Sequence, residues 1–374
     1  MPRVVRTGRF PGIKPRSLVR PAAIFVASRA GVLLVAWAVA YDEHVTVLPL
    51  LGRWDSHWYE QAAAHGYPAV IPAGSGNAAQ SSLGFFPLFP LAIRATSELT
   101  GLGARDAGLL FGFVAGLIGA LPVWWLLGSV YGASAADRGT ALIFASPGAY
   151  VLSMVYSETL LIPLVAGCLL ALARRRWVVA GLLAAATTAV DPVGIAIVVP
   201  CAVAAWLAIA SRRDWRALLA PVLSPIGIIA FFAYLWAHTG TPFAWFIAQR
   251  RGWEPGRIGS GIWNGLLAVR GDHLSIPPYT VKAAGFVVAM ALLAVFLASR
   301  RPGIWTGYVV AVLAFAFLSP IVGFTPRVLL RAFPLLGVVA ARLRPGWFEA
   351  LLVASVLAMA AAAVLSFGSL GLAP

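Results

Sequence analysis

The chain has 374 residues, 60% of them hydrophobic and 11% charged, with a mean hydropathy of +0.87, which excludes an ordinary soluble domain. Apolar runs of about the ~20 residues that a bilayer crossing needs recur from Pro21 nearly to the C-terminus. The net charge of +15 falls mainly in short runs between them, which marks membrane topology and excludes a nucleic-acid partner.

Residues 1–20 carry Arg3, Arg6, Arg9, Lys14, Arg16 and Arg20 and are expected to be a basic cytoplasmic N-terminus, with a single transmembrane domain over 21–374. The first apolar run is Pro21 to Tyr41. Ala38-Val39-Ala40 has the composition of a signal-peptidase site, but the run is long for a signal core and further crossings follow, so an uncleaved helix is expected. A first outer loop, 42–106, comes next. Its stretch Asp42 to Ser82 is too polar to span, and Phe85 to Leu99, with Pro87 and Pro90, is expected to lie along the outer surface.

The later runs are Ala107 to Leu127, Gly139 to Tyr150, Thr159 to Ala173, Trp177 to Val190, Val193 to Ala210, Leu218 to Ala237, Tyr279 to Ala298, Trp305 to Leu318, Val328 to Ala341 and Phe348 to Phe367. Eleven crossings place the clusters Arg174-Arg175-Arg176, Arg212-Arg213 with Arg216, Arg300-Arg301, and Arg342 with Arg344 all inside. Several runs are short enough for half-helices or tilted hairpins. The same assignment puts a second outer loop, 238–278, and the Pro320 to Arg327 turn outside. Of thirteen acids, Asp137, Asp214 and Glu349 then lie inside, so chemistry is expected on the outer face. Cys168 and Cys201 sit within apolar runs and are read as small core residues.

The most polar stretch is Arg53-Trp54-Asp55-Ser56-His57-Trp58-Tyr59-Glu60-Gln61, followed by His65-Gly66-Tyr67-Pro68. As a helix it puts Asp55, Trp58 and Tyr59 on one face and His57 and Gln61 on another. A carboxylate beside aromatics at a membrane surface is partly desolvated, which strengthens it as a base; an aromatic belt with one helix-capping Asp gives the same pattern. Ser157 and Glu158, after Tyr156, open an apolar run and also suit a helix cap and its dipole. Asp191-Pro192 suits the turn of a hairpin. Arg327 and Arg331, one helical turn apart, suit either a lipid phosphate or snorkelling to headgroups. Gln249-Arg250-Arg251-Gly252-Trp253-Glu254 with Arg257 puts cations in an outer loop, where an anionic substrate headgroup is one reason and tolerance of charge in a long loop another. His44, His57, His65, His238 and His273 lack paired ligand spacing, so no structural metal and no cofactor is predicted, and a catalytic metal requirement stays open.

Three ordered pieces of the first loop, Trp54-Asp55, Ala64-His65-Gly66-Tyr67 and Phe85-Phe86-Pro87-Leu88-Phe89-Pro90-Leu91-Ala92, with Tyr156-Ser157-Glu158 after Ser146-Pro147, resemble the C-type glycosyltransferase (GT-C) superfamily. Within it they resemble the PIG-V-like family, the second mannosyltransferase of glycosylphosphatidylinositol assembly and its bacterial relatives. The resemblance implies an all-α polytopic GT-C-like bundle of about 11 transmembrane helices with interfacial helices in the first outer loop. It also implies a bacterial plasma-membrane enzyme that takes a sugar, mannose in this family, from a polyprenyl-phosphate donor and passes it to a hydroxyl of a glycolipid or protein among membrane lipids. Asp55 maps to the general base, and Arg327, Arg331 and Arg250 are candidates to stabilise the departing phosphate. Further substrate-binding candidates are Arg53, Trp54, His57, Tyr59, His65, Tyr156, Ser157, Glu158 and Gln249, with Asp191 an added candidate. Relatives carry Arg where this chain has Asp191, and eukaryotic members an acid near Gln80-Ser81-Ser82. Alternative readings are a flippase or transporter, for which Arg29 is the clearest charge within a run, and a non-catalytic membrane scaffold.

Overall fold

The computed structural model describes residues 15–253, 267, 270, 277–299, 301–318, 325–368 and 373. Most of the basic N-terminus, the second-loop residues Glu254, Arg257, Asp272 and His273, Arg300, and Pro320 of the late turn lie outside the described residues. Those described form helices and 3-10 turns with no strand among them. In chain order, α1 (Pro15–Asp42) leads into α2 (Val47–Leu51), α3 (Ser56–His65) and α4 (Leu88–Thr100). The next group is α5 (Ala104–Tyr131), α6 (Ala133–Phe144), α7 (Glu158–Ala173), α8 (Trp177–Thr188), α9 (Val198–Arg212) and α10 (Leu219–Leu223). Then follow α11 (Ile226–Thr239), α12 (Ala244–Gly252), α13 (Pro277–Leu297), α14 (Gly303–Leu318), α15 (Pro326–Arg331), α16 (Pro334–Arg342) and α17 (Pro345–Phe367).

Among the described residues, five stretches are long and apolar enough to cross a membrane: Val19–Asp42, Ala104–Tyr131, Pro192–Arg212, Trp215–Thr239 and Pro345–Phe367. Tyr279 to Ala298 corresponds to the 21-residue α13, and most of the other expected runs form shorter or broken helices. Trp177 to Val190 yields the 12-residue α8, and Trp305 to Leu318 the 16-residue α14. Val328 to Ala341 breaks between α15 and α16, where Pro334 starts a new helix. Gly139 to Tyr150 does not cross as one helix: α6 stops at Phe144, and the 3-10 segment Pro147–Ser153 meets α7 at a bend of 111°. α4, with 13 residues, is too short to span and packs by Phe89, Pro90 and Ile93, in keeping with a surface helix.

Arg29 explains how that bend survives in an apolar interior. It is 2% exposed, and its Nη2 donates to the Phe144 carbonyl at 2.9 Å while Nη1 donates to the Ala149 carbonyl and to Ser153 Oγ at 3.1 Å. The carbonyls freed where α6 ends therefore have a donor within the protein. Close helix approach completes the frame. A Cβ on Gly116 of α5 would come within 2.5 Å of the Phe25 ring of α1, so only glycine admits this crossing.

Two aromatic clusters bind the first loop to the bundle. Tyr59, Phe85, Phe89, Ile93 and Val155 form one; Leu83, Phe86, Phe231, Leu235, Ala244 and Ala248 form the other, joining this loop to α11 and α12. Cys168 and Cys201 are buried with their sulfurs 3.9 Å apart and are not bonded.

Candidate active site

Asp55 immediately precedes α3, and its position is set from both sides. Trp54 adopts a left-handed φ of 62° and its indole N–H donates to the Ser366 carbonyl at 3.1 Å. Arg53 binds the Phe367 carbonyl and lies 3.5 Å from Glu43. Both residues thus fasten the start of α3 to the end of α17, and neither lines the cavity described below. The Asp55 side chain makes no helix-capping bond. Its Oδ2 instead accepts from Arg327 Nη1 at 2.6 Å, and its own N–H donates to the Tyr156 hydroxyl at 3.2 Å.

From Arg327 the charges continue inward. Its Nε donates to Glu158 Oε1, and its guanidinium lies over the Tyr156 ring, 4.6 Å from the centroid. Arg331, one turn further along α15, donates to the same Glu158 oxygen from Nε at 2.8 Å and to Asp191 Oδ2 from Nη2 at 2.8 Å. Asp191 Oδ2 also accepts from Ser157 Oγ at 3.3 Å, and Ser157 accepts from the Tyr59 hydroxyl at 2.8 Å. Asp55, Arg327, Glu158, Arg331 and Asp191 thus form an alternating chain of three carboxylates and two guanidiniums. Burial works against the charge of Arg327, but the carboxylates of Glu158 and Asp55 outweigh it and hold its pKa well above the usual value. Burial, then the charge of Asp191, pushes the Tyr59 hydroxyl well above its usual range, so it stays a neutral donor.

Several local readings of these residues give way to this chain. Ser157 makes no capping bond. Arg331 is 5% exposed and cannot snorkel to a headgroup. Asp191 does hold its turn, with Oδ1 accepting from the Val193 N–H at 2.9 Å, and the same carboxylate anchors Arg331. Exposure then separates the acids: the Asp55 side chain is 30% exposed, Glu158 0% and Asp191 4%. Asp55 is the most exposed acid of the three, and Glu158 holds the two arginines.

A cavity of about 280 Å³ is lined by Asp55, Tyr59, Asp191, Arg327 and Arg331, together with Gly84, Phe85, the α12 residues Trp245 and Gln249, and Trp253 just after α12. Tyr156, Ser157 and Glu158 stand behind this lining. His57 and His65 do not join it; they border a separate hollow of about 300 Å³ with Glu60, Gln61 and Arg105. Arg250 is exposed on α12 and lines neither. Among the described residues no three His, Cys, Asp or Glu side chains gather as a metal site requires. Trp245 was missed in the sequence, although its four-residue spacing to Gln249 and Trp253 marks one helix face.

No family model matches the chain, and no curated protein sequence is detectably similar to it. Among solved structures it is similar to ArnT from Cupriavidus metallidurans bound to undecaprenyl phosphate, at 21% identity and a TM-score of 0.54 over 88% of this chain. It is similar also to the apo state of that protein, at 22% identity and a TM-score of 0.51 over 79% of this chain. The chain spans 62% and 56% of the length of those two structures. What this likeness establishes is the fold: the chain is an all-α polytopic membrane protein with the fold of the ArnT structures.

Proposed function

We propose that the chain is a membrane glycosyltransferase that moves a sugar from a polyprenyl-phosphate donor to an acceptor hydroxyl, with Asp55 as general base. The observation that carries this reading is the pairing of Asp55 and Arg327, 2.6 Å apart, in the lining of one cavity. A base beside a cation is what such a displacement needs. Asp55 takes the acceptor proton as the acceptor oxygen attacks the anomeric carbon; the bond from that carbon to the phosphate oxygen breaks with inversion, and the phosphate leaves with the electron pair. Arg327 is placed to receive the charge that develops there, with Arg331 behind it. The undecaprenyl phosphate bound to ArnT supports the choice of lipid carrier.

Mannose is the sugar that the ordered first-loop motifs favour, through their resemblance to the PIG-V-like family. The cation clusters favour an extracytoplasmic cavity. The transporter reading loses its main support, because Arg29 is consumed by the carbonyls of the α6 bend. Purified protein in lipid nanodiscs, supplied with polyprenyl-phosphate mannose and a glycolipid hydroxyl acceptor, is expected to release polyprenyl phosphate in step with a new glycoside. Absence of any turnover across a panel of polyprenyl-phosphate sugars and acceptors would remove the proposal.

A further inference from the structure

Asp55 and the arginines account for one part of the cavity lining, whereas the part contributed by α12 has no role in the reaction above. Trp245, Gln249 and Trp253 follow at four-residue intervals along one face of this helix and its end, and all three line the cavity. One carbonyl fixes them. Gly84 O accepts from Trp245 Nε1 at 3.1 Å and from Gln249 Nε2 at 3.0 Å. A Cβ on Gly84 would come within 3.1 Å of both Gln249 Nε2 and the Trp253 ring, so a side chain there would crowd both of them. A second tie, from Gln80 Nε2 to the Gly252 carbonyl at 3.2 Å, holds the far end of the helix. Trp253 in turn stands edge-on to Trp58 and Phe85, with ring centroids 5.7 and 5.5 Å away.

With Nε2 committed to Gly84, the amide oxygen of Gln249 has no protein partner among the described residues. A group that satisfies this oxygen must donate a hydrogen bond. An isoprenoid chain has no donor, and an ionised phosphodiester has only acceptors. Sugar hydroxyls do donate, and the C–H face of a pyranose suits an indole surface. We propose that α12 forms the glycosyl subsite and that Gln249 is its specificity-determining residue, its amide oxygen accepting from one hydroxyl of the transferred sugar. This rests on the reading of the chain as a lipid-linked sugar transferase. The aromatic surface alone separates sugars weakly; the hydroxyl bond gives the discrimination, because a sugar without that hydroxyl leaves the fixed amide unpaired.

The test compares binding of bare polyprenyl phosphate with that of polyprenyl-phosphate mannose, glucose and arabinose to protein in nanodiscs, read by calorimetry, with transfer assayed separately. At least one glycosylated carrier is expected to bind more tightly than the bare one. Gln249→Ala is expected to shrink that difference by about tenfold or more and to change bare-carrier binding by less than about twofold. Among monodeoxy forms of the preferred sugar, one is expected to bind weakly to wild type yet as well as the parent sugar to Gln249→Ala. Gly84→Ala, which displaces the same amide, is expected to follow Gln249→Ala. Equal weakening of bare and glycosylated carriers by Gln249→Ala, weakening of neither, or no preference of the wild type for any glycosylated carrier overturns the subsite. The expected binding pattern in a protein that transfers nothing upholds the subsite and removes the transferase reading instead.

Discussion

Arg327 holds the carboxylate of Asp55 at 2.6 Å although the two lie 272 positions apart in sequence. The contact occupies one oxygen of the residue proposed as base, and in the proposed reaction Arg327 turns toward another anion as Asp55 takes a proton. The phosphate of the donor is that anion. Since Arg327 also donates to Glu158, it can release Asp55 and remain anchored.

Arg327→Lys keeps the charge but not the fork that joins two carboxylates. Transfer by this variant is expected to fall by about 10²–10³-fold in kcat/KM, with the donor KM raised, in steady-state kinetics with a titrated polyprenyl-phosphate sugar. Wild-type kinetics would mean that Arg327 does not meet the phosphate.

Glu158 is 0% exposed and serves two arginines with one oxygen. Glu158→Gln leaves those cations underneutralised in a buried site and is expected to cost about 3–5 kcal/mol. Thermal unfolding in detergent should show a lower Tm, and Arg331→Met on the same background should recover part of it.

Gly148 lies against the start of α15: a Cβ there would come within 2.2 Å of the Pro326 carbonyl oxygen. Gly148→Ala must push α15 away and with it Arg327. An overpacking loss of about 1–3 kcal/mol is expected, together with a drop in transfer rate that Ala substitution at the uncrowded Gly346 does not produce.

Arg29→Leu removes the donor that serves Phe144, Ala149 and Ser153. Each buried carbonyl left open costs about 1–3 kcal/mol, so a lowered Tm is expected, with the residual folded fraction still active. Abolished substrate movement with an unchanged Tm would revive the transporter reading.

The long apolar helices and the shortness of α4 are legible in the sequence because length, apolar composition and proline position are local signals. The breaks are less so. Gly139 to Tyr150 reads as one mainly apolar run, and the 3-10 segment that begins within it at Pro147 is held by Arg29, more than a hundred residues earlier. The same limit applies at the site. Tyr156-Ser157-Glu158 and Asp55 stand out as polar groups, yet capping and helix-dipole effects explain Ser157 and Glu158 locally, and nothing near them signals two arginines from α15. Asp191 reads locally as the turn of a hairpin; its partner, Arg331, lies 140 positions away. Trp245, Gln249 and Trp253 are the opposite case, since their four-residue spacing is present in the sequence itself.

The most direct measurement compares transfer by wild type, Asp55→Asn and Asp55→Glu in nanodiscs, each confirmed as folded by its thermal transition. Asn keeps the shape and a contact to Arg327 but cannot accept the acceptor proton, so its kcat is expected to fall by about 10²–10⁴-fold, while Glu retains part of the rate. Asp55→Asn protein that transfers sugar at the wild-type rate would contradict the assignment of Asp55 as base.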